Sequence, residues 1–397
     1  MESKSLLILA SCVPFVQRSQ FTLDQTPVIH ERGQHNTMNC YGWSNHIRSD
    51  DAPLIAAAKR GHRAEVDLLL KNRANPDIAD GVGMTALAYA VRGGCKAIAD
   101  LLIMHGANCD YAKKDGFTPL MMAVWDGNFE MVYLLLAKGA GTNIMDNCGR
   151  TALTIAVEKG NEDIVYRLLK SRANPNIMPS GGDTVLTRAA KGGHGAMVRM
   201  LIAAGAKINL PTRSGDTALT RAAWDGNVAM VRLLPDRGAQ IDFTTDPGNT
   251  PLMEAARRGH DGIVDLLAAK GADINTTNKA GKTALAFAAW FGHEAIARQL
   301  LAHGAKPDIM SNAGDTPLME AARRGHDGIV DLLAAKGADI NTTNKAGKTA
   351  LACAVWYGHE AIARRLLAHG AKPDTMSNAN DPPLMVATCR VGSGPST

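Results

Sequence analysis

The chain has 397 residues, a formal net charge of +5 and only 5% aromatic residues. That charge is small for the length, so it does not by itself indicate nucleic-acid binding. The seven cysteines are scattered without a CxxC pair, which fits reduced thiols inside a cell better than a disulfide framework or a zinc site. No apolar run approaches the roughly eighteen residues of a membrane span.

The first 49 residues carry no internal repeat and few helix signals, so they are predicted to form a flexible N-terminal segment. Residues Leu9 to Cys12 resemble the cleavage box of bacterial lipoproteins. The segment before Cys12 has only Lys4 as a positive charge, offset by Glu2, and a short apolar stretch, whereas a working secretion signal needs a longer one. We therefore expect an intracellular protein, cytoplasmic or nuclear.

A glycine recurs every 33 residues along most of the chain, at 61, 94, 127, 160, 193, 226, 259, 292, 325 and 358. A fixed period of this length indicates stacked supersecondary units, each contacting only its neighbours. We predict an array over residues 50–381, with ten units beginning near 52, 85, 118, 151, 184, 217, 250, 283, 316 and 349. Residues 382–397 are predicted to be a partial eleventh unit and a tail.

The unit that starts at Thr250 shows what each part of the repeat predicts. Thr250 can cap a short helix whose first residue is Pro251. Gly259 supplies the positive φ that ends this helix, and a second helix with a bulkier apolar stripe follows. Asn278 and Gly281 predict a tight hairpin before the next unit.

This unit reads TPLMEAARRGHDGIVDLLAAKGADINTTNKAGK, and its TPL, AA, GH and GA elements with an asparagine-bearing hairpin resemble the ankyrin repeat. The resemblance extends over the whole array. It implies an all-α solenoid of stacked helix-turn-helix units with hairpin loops. It also implies a non-enzymatic scaffold or adaptor for protein-protein interaction, without a cofactor.

The resemblance places the hairpin tips and the ends of the first helices on the concave side, where partners of such arrays usually bind. Four of the five tryptophans fall at the first-helix ends, and from Trp224 onward aromatic and basic pairs alternate. Because Trp, Tyr and Arg dominate interface hot spots, we call this row the aromatic-basic strip and expect it to bind an extended or acidic segment of another protein. Its candidate residues are Trp125, Trp224, Arg257, Arg258, Trp290, Phe291, Arg323, Arg324, Trp356 and Tyr357, with Lys279, Lys282, Lys345 and Lys348 as rim charges.

Other interpretations of the strip stay open. The rings can simply pack between neighbouring first helices, with Asp246 and Asp315 neutralising the arginine pairs that follow them. Alternating rings and cations can also bind a single nucleic-acid strand, although the modest net charge and acidic residues such as Asp126 and Asp225 in the same row disfavour this. Finally, the chain can be the substrate-recruiting part of a larger protein.

The sequence predicts no catalytic or metal site. It contains no nucleophile elbow, phosphate-binding loop, Rossmann fingerprint, kinase loop or HExxH motif. Six histidines follow the recurring glycine, but ligands spaced one per unit do not converge on one ion. We predict instead that these histidines donate or accept hydrogen bonds at the backbone of an adjacent hairpin.

Three positions break the repeat, and one block is duplicated. Pro235 is expected to interrupt the second helix of its unit, and Arg73 and Arg172 replace the glycine that ends the second helix in other units. The block 250–315 recurs as 316–381 with six differences, which indicates a recent duplication of two units.

Overall fold

The computed structural model describes residues 52–373 of the chain. They form two compact units, each made of several 33-residue repeats. The division falls between Ala152 and Leu153, in the first turn of one helix, and these two parts are called the first and the second unit below. Within the described range the only β-pairing is one isolated bridge between Ala79 and Thr85, so the predicted all-α fold is confirmed. The N-terminal segment and the partial eleventh unit lie outside the described residues.

Each unit is a succession of short helices that come in pairs. The helices of the first unit are α1 Pro53–Arg60, α2 Arg63–Lys71, α3 Ala86–Arg92, α4 Lys96–Met104, α5 Pro119–Trp125 and α6 Phe129–Ala137. Those of the second begin with α7 Ala152–Glu158, α8 Glu162–Lys170, α9 Val185–Lys191, α10 Gly195–Ala203, α11 Ala218–Asp225 and α12 Val228–Leu233. They continue with α13 Pro251–Arg258, α14 Asp261–Ala269, α15 Ala284–Phe291, α16 Glu294–Ala302, α17 Pro317–Arg324, α18 Asp327–Ala335, α19 Ala350–Trp356 and α20 Glu360–Ala368.

Threonine caps and glycine turns set the ends of the first helix in most pairs. At α13 the Thr250 hydroxyl oxygen accepts a hydrogen bond of 3.3 Å from the Met253 amide, and Pro251 holds the first helical position. Gly259 ends the helix with φ +82°. The predicted threonine cap, first-position proline and helix-ending glycine of this unit are confirmed.

The core of the second unit runs continuously along its length. The first helices pack in a row, α13 against α11 and α15, and the second helices pack in a parallel row, α14 against α12 and α16. Small buried residues such as Ala255 and Ala256 let the two rows approach closely, while Ile263, Val264 and Leu267 fill the space between them. Each added pair therefore buries its apolar face only against its neighbours.

Hydrogen bonds between hairpin loops fix the register of the stack. The Lys279 amide donates to the Pro247 carbonyl at 3.1 Å, the Asn312 amide to Ala280 at 2.8 Å, and the Lys345 amide to Ala313 at 3.1 Å. Because each of these bonds joins one loop to the loop before it, equivalent residues of successive repeats come to lie side by side in this part of the second unit.

The predicted irregularities are confirmed. Arg73 and Arg172 have φ of 61° and 62°, where other units have glycine. α12 stops at Leu233, and Pro235–Arg237 form a short 3₁₀ helix in place of its last turn.

Candidate functional site

The tryptophans of the strip in the second unit lie under cationic side chains from neighbouring repeats. The guanidinium carbon of Arg258 is 3.5 Å from the ring centroid of Trp224, and that of Arg324 is 3.8 Å from Trp290. On Trp290 the Lys282 ammonium is a second cation, 4.1 Å from the centroid. Such contacts are cation-π interactions, which hold both the ring and the cation in place.

Exposure increases toward the last described repeat. Trp224 and Trp290 are half-buried, whereas Trp356 is 49% exposed and carries the Lys348 ammonium 4.2 Å from its ring centroid. Phe291 and Tyr357 are also exposed. The rings therefore pack within the array and still offer surface to a partner.

Part of the strip's positive charge is neutralised internally. Arg323 pairs with Asp315 at 2.9 Å and with buried Glu320 at 3.3 Å, and the Lys282 ammonium lies 2.9 Å from the other oxygen of Glu320. Burial alone would lower the pKa of Arg323, but its hydrogen bond to Asp315 and the negative charges of Asp315 and Glu320 together raise it. The expected neutralisation by Asp315 is thus present.

The expected partner role of Asp246 is wrong within the described residues, where it forms no ion pair with either following arginine. The duplication shows why, because the residue 66 positions before Asp315 is Asn249. Asn249 is uncharged and donates a hydrogen bond of 2.7 Å to Glu254.

Several other cations of the strip are not neutralised by a carboxylate of the described residues. Within residues 52–373, no ion pair is formed by Arg258, Lys279, Arg324, Lys345 or Lys348. All but Lys348 are exposed. The strip of the second unit therefore keeps an excess of positive charge at its surface.

Four of the six recurring histidines have the structural role that was predicted, but a different bonding partner. The imidazole Nε2 of His260 lies 3.1 Å from the Trp224 carbonyl, and His293, His326 and His359 contact the carbonyls of Arg257, Trp290 and Arg323 in the same way. These carbonyls belong to the end of the preceding first helix and not to a hairpin. Each histidine thereby joins two successive repeats directly beside the strip.

In the first unit, Trp125 borders a separate cavity of about 430 Å³. Trp125 is 42% exposed and meets Phe117 edge to face, with ring centroids 6.2 Å apart. The Arg150 guanidinium lies 5.9 Å from the Trp125 ring while it pairs with Asp146 at 2.8 Å. This arrangement repeats the combination of ring and hairpin cation found in the second unit.

Sequence reasoning missed some residues of these sites. Arg150 occupies the hairpin position that Lys282 and Lys348 occupy in later repeats, so the 33-residue register contained a signal for it. Glu254 and Glu320 are buried acids in otherwise small or apolar helix faces, and that contrast was also visible in the sequence.

A family model described as ankyrin repeats matches five overlapping stretches of the chain, residues 30–113, 108–179, 173–245, 222–311 and 296–377. The chain belongs to the ankyrin repeat family. Ankyrin repeats are generally modules for protein-protein interaction and typically have no enzymatic activity, which supports a scaffold role for this array. A search of curated proteins finds no match to the chain.

Within the described part of this ankyrin array, no helix is both long and apolar enough to cross a membrane. Nor do three or more His, Cys, Asp or Glu side chains come together there in a group that could hold a metal ion.

Proposed function

We propose that this ankyrin array is a non-enzymatic scaffold or adaptor that binds an extended, acidic segment of another protein along the aromatic-basic strip. The observation that carries the proposal is the set of exposed cations without an ion pair in the described residues, Arg258, Lys279, Arg324 and Lys345, beside Trp224, Trp290 and Trp356. Uncompensated charge of one sign attracts a partner of the other sign.

The stacking of arginine on tryptophan suits carboxylate recognition. A guanidinium that lies over a ring uses its face for the cation-π contact and keeps its in-plane N–H donors for a carboxylate. Holding the guanidinium over Trp224 or Trp290 also reduces the conformational entropy that binding would otherwise cost. An extended segment fits because the cations recur on successive repeats instead of clustering on one.

The same geometry makes single-stranded nucleic acid the weaker candidate. Base stacking needs an accessible ring face, but Arg258 and Arg324 already lie over the rings of Trp224 and Trp290. We further expect the array to work inside a cell, in the cytoplasm or the nucleus.

The proposal is tested by fluorescence anisotropy with a labelled, unstructured peptide of alternating glutamate and glycine, over a salt series. Replacing Arg258, Arg324 and Lys345 together by Gln should weaken binding by about tenfold or more, because three charge contacts are lost. Trp356→Ala should weaken it separately, since Trp356 is the most exposed tryptophan of the second-unit strip.

The matched control places the same type of change on the second helices. Arg298 and Arg364 pair with Glu294 and Glu360 on exposed surface, and their replacement by Gln should leave peptide binding unchanged. Equal losses in both variants would contradict the proposal, as would tighter binding of an oligothymidine strand that depends on the strip cations.

A further inference from the structure

A cavity of about 250 Å³ lies between hairpin loops and first helices around Trp224. Its lining combines the Trp224 ring with the side chains of Asp216, Glu254 and Arg257. Arg221 also lines it but pairs with Asp225 at 2.9 Å, so that this cation is already matched by a carboxylate. Apart from that ion pair, the pocket therefore has two acidic side chains, one cationic side chain and one aromatic wall.

Glu254 is the buried acid of this pocket, with only 5% of its surface exposed. Its Oε1 accepts a hydrogen bond of 2.7 Å from Asn249, but its Oε2 accepts none. The nearest cation, the Arg257 guanidinium, is 3.6 Å from Oε2. A buried carboxylate is costly unless it is paired and hydrogen-bonded, so Glu254 lacks part of the compensation that a charged group needs.

The pKa of Glu254 agrees with that geometry. Burial raises it, and the negative charge of Asp216 raises it further, against the opposing effects of Asn249 and Arg257. The raised pKa shows that the positive charge near this carboxylate is insufficient for its burial.

Two repeats later, an equivalent pocket has its cation in place. Sixty-six residues after Trp224 and Glu254 come Trp290 and Glu320. There the Lys282 ammonium lies 2.9 Å from the Glu320 Oε1 and 4.1 Å from the Trp290 centroid. Lys282 thus fills the space between the acid and the ring.

At the Trp224 pocket the residue equivalent to Lys282 is Asp216. Replacing a lysine by an aspartate removes two units of charge, and only one is restored by Asn249 in place of Asp315. Asp216 accepts a hydrogen bond from the Ser214 hydroxyl at 2.8 Å, which is a neutral donor. Compared with the equivalent pocket around Trp290, the Trp224 pocket therefore lacks one positive charge.

We propose that the Trp224 pocket binds the ammonium group of a lysine side chain from a partner protein, in the place that Lys282 occupies beside Glu320 in the equivalent pocket. The ammonium pairs with Glu254 and Asp216, next to the Arg257 guanidinium, which lies 4.8 Å from the Trp224 ring centroid. A lysine fits better than an arginine because the equivalent internal cation is a lysine. This site does not require the acidic segment proposed above, although an acidic segment with one lysine could use both.

The test uses a minimal probe, Nα-acetyl-lysine methylamide, with the norleucine analogue, which lacks the ammonium group, as a neutral control. The readout is the indole N–H resonance of Trp224 in the full chain, assigned with a Trp224→Phe variant. We expect a saturable shift of this resonance with the lysine probe and none with the norleucine probe.

Two variants exchange the charged residues that distinguish the Trp224 pocket from the Trp290 pocket. Asp216→Lys supplies the cation from within the chain, as Lys282 does naturally, and should weaken probe binding at least tenfold. The reverse change, Lys282→Asp with Asp315→Asn, should create a second site that shifts the Trp290 resonance. Circular dichroism checks that both variants stay folded. If Asp216→Lys does not fold, Glu254→Gln replaces it as the loss variant, the one expected to lose probe binding.

The proposal is overturned if the norleucine probe gives the same shift, if the folded loss variant binds the lysine probe as the parent does, or if the reverse change creates no site at Trp290. None of these results depends on the glutamate peptide. The two proposals can therefore fail separately.

Discussion

Helices α13 and α17 have the same sequence, PLMEAARR, yet their buried glutamates have different surroundings. Glu320 is paired with Lys282 and Arg323, whereas Glu254 has an asparagine at hydrogen-bond distance and an arginine at 3.6 Å. The difference comes from residues outside both helices. In a repeat array the hairpins that precede a helix, here those with Lys282 and Asp315, therefore decide the electrostatics of a helix whose own sequence is unchanged.

The arginines of the two helices show the same effect. Arg323 is held by Asp315 at 2.9 Å, but Arg257, which has Asn249 in that place, lies over the Trp224 ring at 4.8 Å. One carboxylate thus decides whether the arginine pairs with an acid beside its own helix or lies over a ring of the strip.

The largest expected effect comes from removing the cation that distinguishes the two sites. Lys282→Ala should lower the free energy of unfolding by about 2 kcal/mol, because it leaves the buried Glu320 with one cation instead of two. This loss of stability is smaller than that expected for a fully buried ion pair, since the Lys282 side chain is 23% exposed. Urea unfolding followed by circular dichroism measures it.

Lys348→Ala is the matched control for Lys282→Ala. Lys348 contacts the Trp356 ring in the same way, but it pairs with no buried carboxylate among residues 52–373. An equal loss of stability in both variants would show that the cation-π contact, and not the ion pair with Glu320, is what stabilises the site.

The backbone offers a similar comparison, because equivalent positions of two repeats hold different residues that both have a positive φ. Arg172 has φ 62°, and Gly205, at the same place one repeat later, has φ 89°. Arg172→Gly should raise the free energy of unfolding by about 1 kcal/mol, because a residue with a Cβ is strained at positive φ. Thermal unfolding measures the gain. Arg172→Ala keeps the strain and should show none, so an equal gain in the Ala variant would refute this explanation.

The smallest expected effect is a pH dependence specific to Glu254. Its raised pKa means that the folded state holds this proton at a higher pH than the unfolded chain does. The charged form therefore costs stability above the folded pKa, and this cost disappears as pH falls to the ordinary value near 4.5. Glu254→Gln should be more stable than the parent at pH 7, and the difference should shrink toward pH 4.5.

Melting temperatures of parent and variant across this pH range measure that difference directly. Glu360→Gln, at an exposed glutamate with a surface ion pair, removes the same charge and should give a difference from the parent that hardly changes with pH. A Glu254→Gln advantage that grows as pH falls would have the opposite sign to the one expected from burial.

Much of the candidate site followed from the sequence, but not its internal contacts. The tryptophans and arginine pairs could be placed in one register because the period is constant. Phe117, Asp216 and Glu254 were not recognised as site residues. Their importance depends on a cavity, and a cavity has no sequence pattern of its own.

The sequence by itself determined the features that depend on residues a few positions apart. Thr250 caps α13, Gly259 ends it, Pro235 shortens α12, and Arg172 takes a glycine's conformation because helix ends and turns are governed by local hydrogen bonds and local sterics. Together with the 33-residue period, these signals fixed the all-α stack.

Only the tertiary structure decided which side chains meet. Lys282 reaches Glu320, Arg324 covers Trp290, and His326 bonds to the Trp290 carbonyl, although these pairs are 34 to 38 positions apart. Such contacts form only after neighbouring repeats have stacked, and they depend on side-chain conformations and on which residue the adjacent unit supplies. Two identical helices can therefore carry a neutralised acid in one place and an uncompensated acid in the other.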